Sequence, residues 1–274
     1  MDEPEIQVFL RGPSRRPTLT RGRRRSLAGY LFLLLVVILV LLGLANLAIL
    51  GLQTLNRPTK PASGELLYAS TFDAYNDEWT QRLEGEDHFE IANNMLVLTI
   101  DKGGFSQLDR QLSDFDLRFN AIRLSQPDDV NEMGALFRVQ DVNHYYMFRI
   151  RGDGAYRVEV CQDCKPGEID VLSEWQYSPA ILIGINQVNE LRIVAQGDQF
   201  RFYANGQLLK ICPKGSDRHS TWTGLRTGQC MSNNGQTADE LIDGTFAYGK
   251  IGMGLTTTTP GVQIGFTNVL IYGP

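Results

Sequence analysis

Hydrophobic positions follow two different patterns along this chain. From Leu27 to Leu52 they are continuous: LAGYLFLLLVVILVLLGLANLAILGL carries no charge and a single amide, Asn46. At ~1.5 Å rise per residue, a helix over this stretch exceeds the ~30 Å hydrocarbon core of a bilayer. From Leu66 onward apolar and polar residues alternate in short runs bounded by turn residues, the period of strands with one buried face. The runs are Leu66–Phe72, Phe89–Ala92, Met95–Ile100, Phe115–Leu124, Met133–Gln140, Tyr145–Arg151, Ala155–Val160, Glu190–Ala195, Gln199–Ala204, Gln207–Ile211, Gly249–Leu255 and Val262–Tyr272. Asn93-Asn94 and Asn205-Gly206 supply the positive φ that tight hairpin turns need. Helical periodicity is nearly absent beyond the apolar run. About a dozen short strands in one unit predict an all-β fold, with two antiparallel sheets packed face to face as a jelly-roll sandwich.

Charge gives the apolar run its orientation. Residues 1–26 hold seven arginines against Asp2, Glu3 and Glu5, a net of +4; beyond them 19 basic and 28 acidic residues leave −9, within −5 overall. Arginines flanking a membrane helix stay cytoplasmic. A cleavable signal peptide has an apolar region of only ~7–15 residues and a small-residue cleavage site. The longer run here predicts an uncleaved signal anchor at 27–52, with a basic cytoplasmic tail (1–26), a linker (53–64) and an extracytoplasmic domain (65–274). The tail has too few apolar residues to fold, and its arginines suit anionic lipid headgroups. Pro58, Pro61 and Gly64 make the linker a semi-extended spacer. The acidic balance of the domain gives no reason to expect nucleic acid.

Several of these runs carry a resemblance. SDFDLRFNAIRL, GALFRVQDVNHYYMFRI, NELRIVAQGDQFRFYANGQLL, GKIGMGL and VQIGFTNVLIY together resemble the concanavalin A-like lectin/glucanase superfamily, within it the laminin-G-like and family-16-glycosidase-like (keto-disaccharide hydrolase-like) domains of bacterial cell-surface proteins. The resemblance covers nearly all of residues 66–272. It implies the jelly roll, and a module that binds sugars, cleaves glycans or serves adhesion. It also implies a structural calcium ion, for which Asp73 is the candidate ligand; one carboxylate is not a site, since calcium takes 6–8 oxygens. No other cofactor is expected.

All four cysteines, Cys161, Cys164, Cys212 and Cys230, lie in the domain. An even count outside the cytoplasm favours disulfides, and the expected pairs are Cys161–Cys164 and Cys212–Cys230. The second closes a loop of about 19 residues, worth ~3 kcal/mol on the chain-entropy model. It staples the first half of a long segment, 212–248, that stands where a short return is expected.

For hydrolysis, the glycosidase likeness points to Glu168-Ile169-Asp170 and Glu174. Retaining glycosidases need carboxylates ~5–5.5 Å apart. Here the spacing is one residue longer than the family pattern, and an extended strand would put Glu168 and Glu174 ~20 Å apart. Arg151-Gly152-Asp153 has the form of an integrin-type tripeptide, but Gly152-Asp153-Gly154 is what a tight turn wants. His88, His144 and His219 are far apart, and no Ser/His/Asp order, phosphate loop or zinc motif occurs. For recognition, strand alternation puts Arg138, Tyr145 and Arg149 beside Arg157 on an exposed face, with His219 and Trp222 of the 212–248 segment closing over it; Trp79 and Trp175 are expected in the core. Three functions stay open: non-catalytic recognition of a glycan or protein, an accessory subunit of a membrane complex hinted at by Asn46, and a glycoside hydrolase.

Overall fold

The computed structural model describes residues 27–55, 58–73, 77–81, 87–101, 103–125, 131–164, 169–214, 223–224, 227–257 and 259–274, without the side chains of 27, 28, 49–55 and 255. The chain forms two units, Met1–Asn56 and Arg57–Pro274. In the first, helix α1 runs Leu27–Leu55, three residues past the expected end. Its stretch Gly29–Ala48 is long and apolar enough to cross a membrane, and its side chains are exposed. The Asn46 amide donates to the Leu42 carbonyl at 3.0 Å.

The second unit is a two-sheet antiparallel sandwich. Its strands are β1 (Leu66–Ser70), β2 (His88–Ala92), β3 (Met95–Ile100), β4 (Gly103–Leu112), β5 (Phe115–Arg123), β6 (Glu132–Asp141), β7 (His144–Arg151), β8 (Ala155–Gln162), β9 (Asp170–Tyr177), β10 (Val188–Gln196), β11 (Gln199–Ala204), β12 (Gln207–Leu208), β13 (Leu241–Ile242), β14 (Gly249–Thr256) and β15 (Val262–Tyr272). Sheet A has the order β12-β11-β10-β5-β15-β3-β2, with β1 on β15 and β13 on β11; sheet B has the order β4-β14-β6-β7-β8-β9. This is the all-β jelly roll that the alternation predicts. Inward-facing Phe115, Leu117 and Phe119 of β5 meet Phe137, Tyr146 and Phe148 of sheet B and Phe200 and Phe202 of β11. Phe137 sits at the centre, its ring 5.1 Å from Tyr146 and 5.3 Å from Phe200. Asn93, Asn94, Asn205 and Gly206 all have positive φ, as the hairpin reading requires.

Several features depart from the expectations. Strand β4 was hidden by its Gly-Gly start and its polar composition. Arg138 does not lie on the exposed face. It has φ +50°, and the β6/β7 register slips between Phe137 and Asp141. This bulge re-aims the side chain inward, where it is buried and donates to the carbonyls of Phe246, Ser113 and Gly197 at 2.7, 3.1 and 2.6 Å. Val139 takes the outer face in its place, beside Leu136 and Met147. The second half of the 212–248 segment is not an appendage: Ala238 bridges Ile211, Leu241 enters the core through β13, and Asp243 accepts the Tyr146 hydroxyl at 2.5 Å. Finally, the end of the linker is docked. Lys60 pairs with Asp114 at 3.2 Å, and Gly64 donates to the Gly273 carbonyl at 2.8 Å.

Cys161 and Cys164, and Cys212 and Cys230, pair as expected, with Cα separations of 5.1 and 5.3 Å. Trp79 is in the core, its indole donating to the Tyr68 hydroxyl at 2.8 Å. In the Arg151-Gly152-Asp153 turn the two charged side chains bind each other at 2.5 and 3.0 Å.

Candidate functional site

The outer face of sheet B gathers the candidate chemistry. In β7, Tyr146, Phe148 and Ile150 enter the core, which leaves Tyr145, Met147, Arg149 and Arg151 outward; in β8 the same alternation leaves Arg157 and Glu159 outward. The register sets Arg149 directly opposite Arg157, Met147 opposite Glu159 and Glu132 opposite Arg151. Adjacent like charges repel, so the face is stable only because carboxylates interleave. Arg149 binds Glu132 through Nη1 and Glu159 through Nη2. Arg157 Nη2 reaches the other oxygen of Glu159 at 2.8 Å, and its Nε stands 3.5 Å from Glu174. Glu159 is 1 % exposed and Arg149 8 % exposed at the side chain, so this lattice is desolvated. Burial lifts the Glu132 carboxyl above its usual range, against the opposing pull of Arg149.

Trp175 of β9 lies on this lattice and not in the core. The guanidinium carbons of Arg151, Arg157 and Arg149 stand 4.7, 5.5 and 5.8 Å from its ring centroid. Cations so placed are attracted to the indole face and hold the ring against the sheet. Beside it opens a cleft of about 580 Å³ lined by Arg151, Glu174, Trp175, Tyr177, Thr223, Gly224 and Gly228. The 212–248 segment makes its far wall: Thr223 Oγ1 donates to the Trp175 carbonyl at 2.7 Å, and Thr223 bridges Cys230, which ties the wall to the Cys212–Cys230 disulfide. Gly228 has φ +60°, and a Cβ there would collide with the Tyr177 ring. The Tyr177 hydroxyl donates to Asp153 at 3.2 Å. Burial would raise the Asp153 carboxyl, but hydrogen bonds from Arg151 and the Ala155 amide bring it below its usual range.

Of the residues expected to recognise a ligand, Tyr145, Arg149 and Arg157 share this face. Tyr145 belongs to an apolar cluster with Phe105, Leu136, Val139 and Met147. Arg138 is inside the sandwich. His219 and Trp222 lie outside the described residues, as do Arg218, Arg226 and Glu168. Asp73 is exposed, and among the described residues no three His, Cys, Asp or Glu side chains converge. Sequence reasoning missed Glu132, Arg151, Trp175 and Tyr177. The alternation Trp175-x-Tyr177 was the available signal.

No protein-family model matches the chain, and no curated protein does. Solved structures do. A Bacillus subtilis protein of unknown function with a galectin-like fold matches 77% of this chain and 97% of its own, at 10% identity and TM-score 0.51, which shows the fold. The carbohydrate-binding module CBM66 from Bacillus subtilis covers 71% of this chain and 95% of its own (16% identity, TM-score 0.48). A Bacillus licheniformis beta-glucanase covers 78% and 100% (10%, 0.46).

Proposed function

We propose that the outer face of sheet B binds a saccharide without cleaving it, on a chain anchored by α1 with residues 1–26 cytoplasmic and the sandwich outside. The observation that carries the reading is the cleft beside Trp175. It offers two aromatic rings and planar hydrogen-bonding groups, Arg151 and Glu174, in a wall fixed by a disulfide-tied segment. Sugars present apolar C–H faces and rings of hydroxyls, and a concave site with an aromatic surface and a few placed polar groups suits both. A preformed wall spares the ordering cost of binding. Hydrolysis requires a carboxylic acid and a second carboxylate available to the substrate. The carboxylates around this cleft, Glu132, Glu159, Glu174 and Asp153, are each engaged by an arginine, which favours recognition.

The test is a glycan array followed by titration calorimetry with the full chain in lipid nanodiscs. Trp175→Ala should weaken the best-bound saccharide by about 2 kcal/mol, some thirtyfold, the scale of a central aromatic contact. Binding unchanged in Trp175→Ala, or hydrolysis of the bound saccharide, would sink the reading.

A further inference from the structure

The cleft continues into an unusual loop. Tyr177, its edge, is followed by Ser178–Asn189, SPAILIGINQVN, twelve residues without a charge. Leu182, Ile183, Ile185 and Val188 are 47, 60, 37 and 45 % exposed. Such tips on a surface loop are ordinarily costly in water. The loop does not owe its exposure to a loose backbone. Asn189, itself buried, accepts from the Leu182 amide at 2.8 Å and donates to the Leu182 carbonyl at 3.0 Å. Asn205 donates to the Ala180 carbonyl at 2.7 Å, and the Asn186 amide to the Arg123 carbonyl at 2.8 Å. The apolar tips are thus presented on a fixed frame.

The loop and the cleft form one surface. The Ser178 amide donates to the Gly154 carbonyl, and Ile183 packs over Gly154, in the same turn whose Asp153 holds Tyr177. The docked linker does not cover it. Lys60 pairs with Asp114, next to the start of β5, whereas Asn186 is bound to Arg123 at its end.

We propose that the ligand is a glycoconjugate with an apolar aglycone: its sugar lies in the Trp175 cleft and its alkyl portion on Leu182, Ile183 and Ile185. The proposal rests on the saccharide reading above. It commits to an apolar occupant on the loop because the loop continues directly from the sugar cleft and its twelve residues carry no charge with which to pair an ionic partner. A rigid apolar frame binds an alkyl chain without paying to order itself. Covering on the order of 60 Å² of apolar surface suffices for a tenfold gain in affinity.

The full chain in nanodiscs is tested against oligosaccharides coupled to a dialkyl lipid, the same oligosaccharides on a hydrophilic ethylene-glycol linker, and the lipid alone. The expected result is binding at least about tenfold tighter to the lipid-linked form, an advantage abolished in the double variant Leu182→Ser, Ile183→Ser. Binding to the hydrophilic form should be unchanged in that variant, which also shows that it is folded. Equal binding to both forms, an advantage that survives the substitutions, or equal binding to the lipid alone overturns the proposal while leaving the saccharide reading standing. Binding to neither sugar form overturns both.

Discussion

Each sheet carries an arginine–carboxylate lattice on its outer face, and the two are near inversions of one another. On sheet A a single carboxylate, Asp116, is held by two guanidiniums, Arg118 and Arg192, which also lie over Tyr272 and Tyr203. On sheet B a single guanidinium, Arg149, is held by two carboxylates, Glu132 and Glu159, under Trp175. The central groups are equally covered, Asp116 and Arg149 each 8 % exposed at the side chain; they differ in their partners, since Arg118 and Arg192 are 43 and 33 % exposed and stay in touch with water whereas Glu159 is 1 % exposed. Taking ions out of water costs several kcal/mol each, and mutual pairing only offsets it. The comparison teaches that the lattice with buried partners is conditional on all its members, whereas the one whose arginines reach water tolerates the loss of one of them better.

Removing one arginine from each lattice gives the largest contrast. Arg149→Met strands the buried Glu159 beside only Arg157 and should destabilise the sandwich by about 3–5 kcal/mol. Arg192→Met leaves Asp116, 8 % exposed, still paired with Arg118 and should cost less, about 1–2 kcal/mol. Urea unfolding of the three proteins measures both, and adding Glu159→Gln to Arg149→Met should recover part of the loss. Equal costs would erase the distinction between the lattices.

Protons provide a subtler contrast with opposite signs. Burial raises the Glu132 carboxyl above its unfolded value near 4.5, so the folded state holds the extra proton. Its contribution to stability is present at low pH and falls as pH rises through the raised value. Asp116 runs the other way. Burial raises it, but hydrogen bonds from Arg192 and Arg118 overcome this and set it below 3.8, so its contribution is present above 3.8 and lost as pH falls through the folded value. Unfolding free energies of Glu132→Gln and Asp116→Asn against the parent, measured from pH 3 to 7, should therefore diverge in opposite directions. The same slope from both would contradict the assignment.

The smallest effect concerns His144, at the start of β7 in sheet B. Its Nδ1 meets Asp141 at 2.8 Å and its Nε2 meets Asp163 at 3.1 Å. The Asp141 hydrogen bond foremost raises the imidazole above 6.5. The resulting stability is complete below 6.5 and lost as pH rises through the raised value. Because the ring is solvated, His144→Gln should show only a slight loss, confined to the acid side, readable as a change in slope of melting temperature against pH; a loss that is the same at pH 5 and pH 9 would deny the ion pairs.

Much of this was legible from the chain itself, since the signals are local. An uncharged apolar run of that length satisfies its own backbone only as a helix, and alternation over five to ten residues decides which face of a strand is buried. Asn205-Gly206 writes its own turn through φ. The sequence alone therefore determined α1, most of the strands, the sandwich class and the shared face of Tyr145, Arg149 and Arg157. Tertiary structure decided the rest, where a contact joins residues far apart in sequence. Arg138 turned inward because a bulge shifted its register and three distant carbonyls, of Ser113, Gly197 and Phe246, awaited it. Trp175, apolar enough for a core, lies outside because β7 and β8 bring three guanidiniums to its ring. The second half of the 212–248 segment reads as a loop by composition, yet it pairs with β11, since an open edge strand some forty residues earlier offers hydrogen bonds that no local pattern reveals.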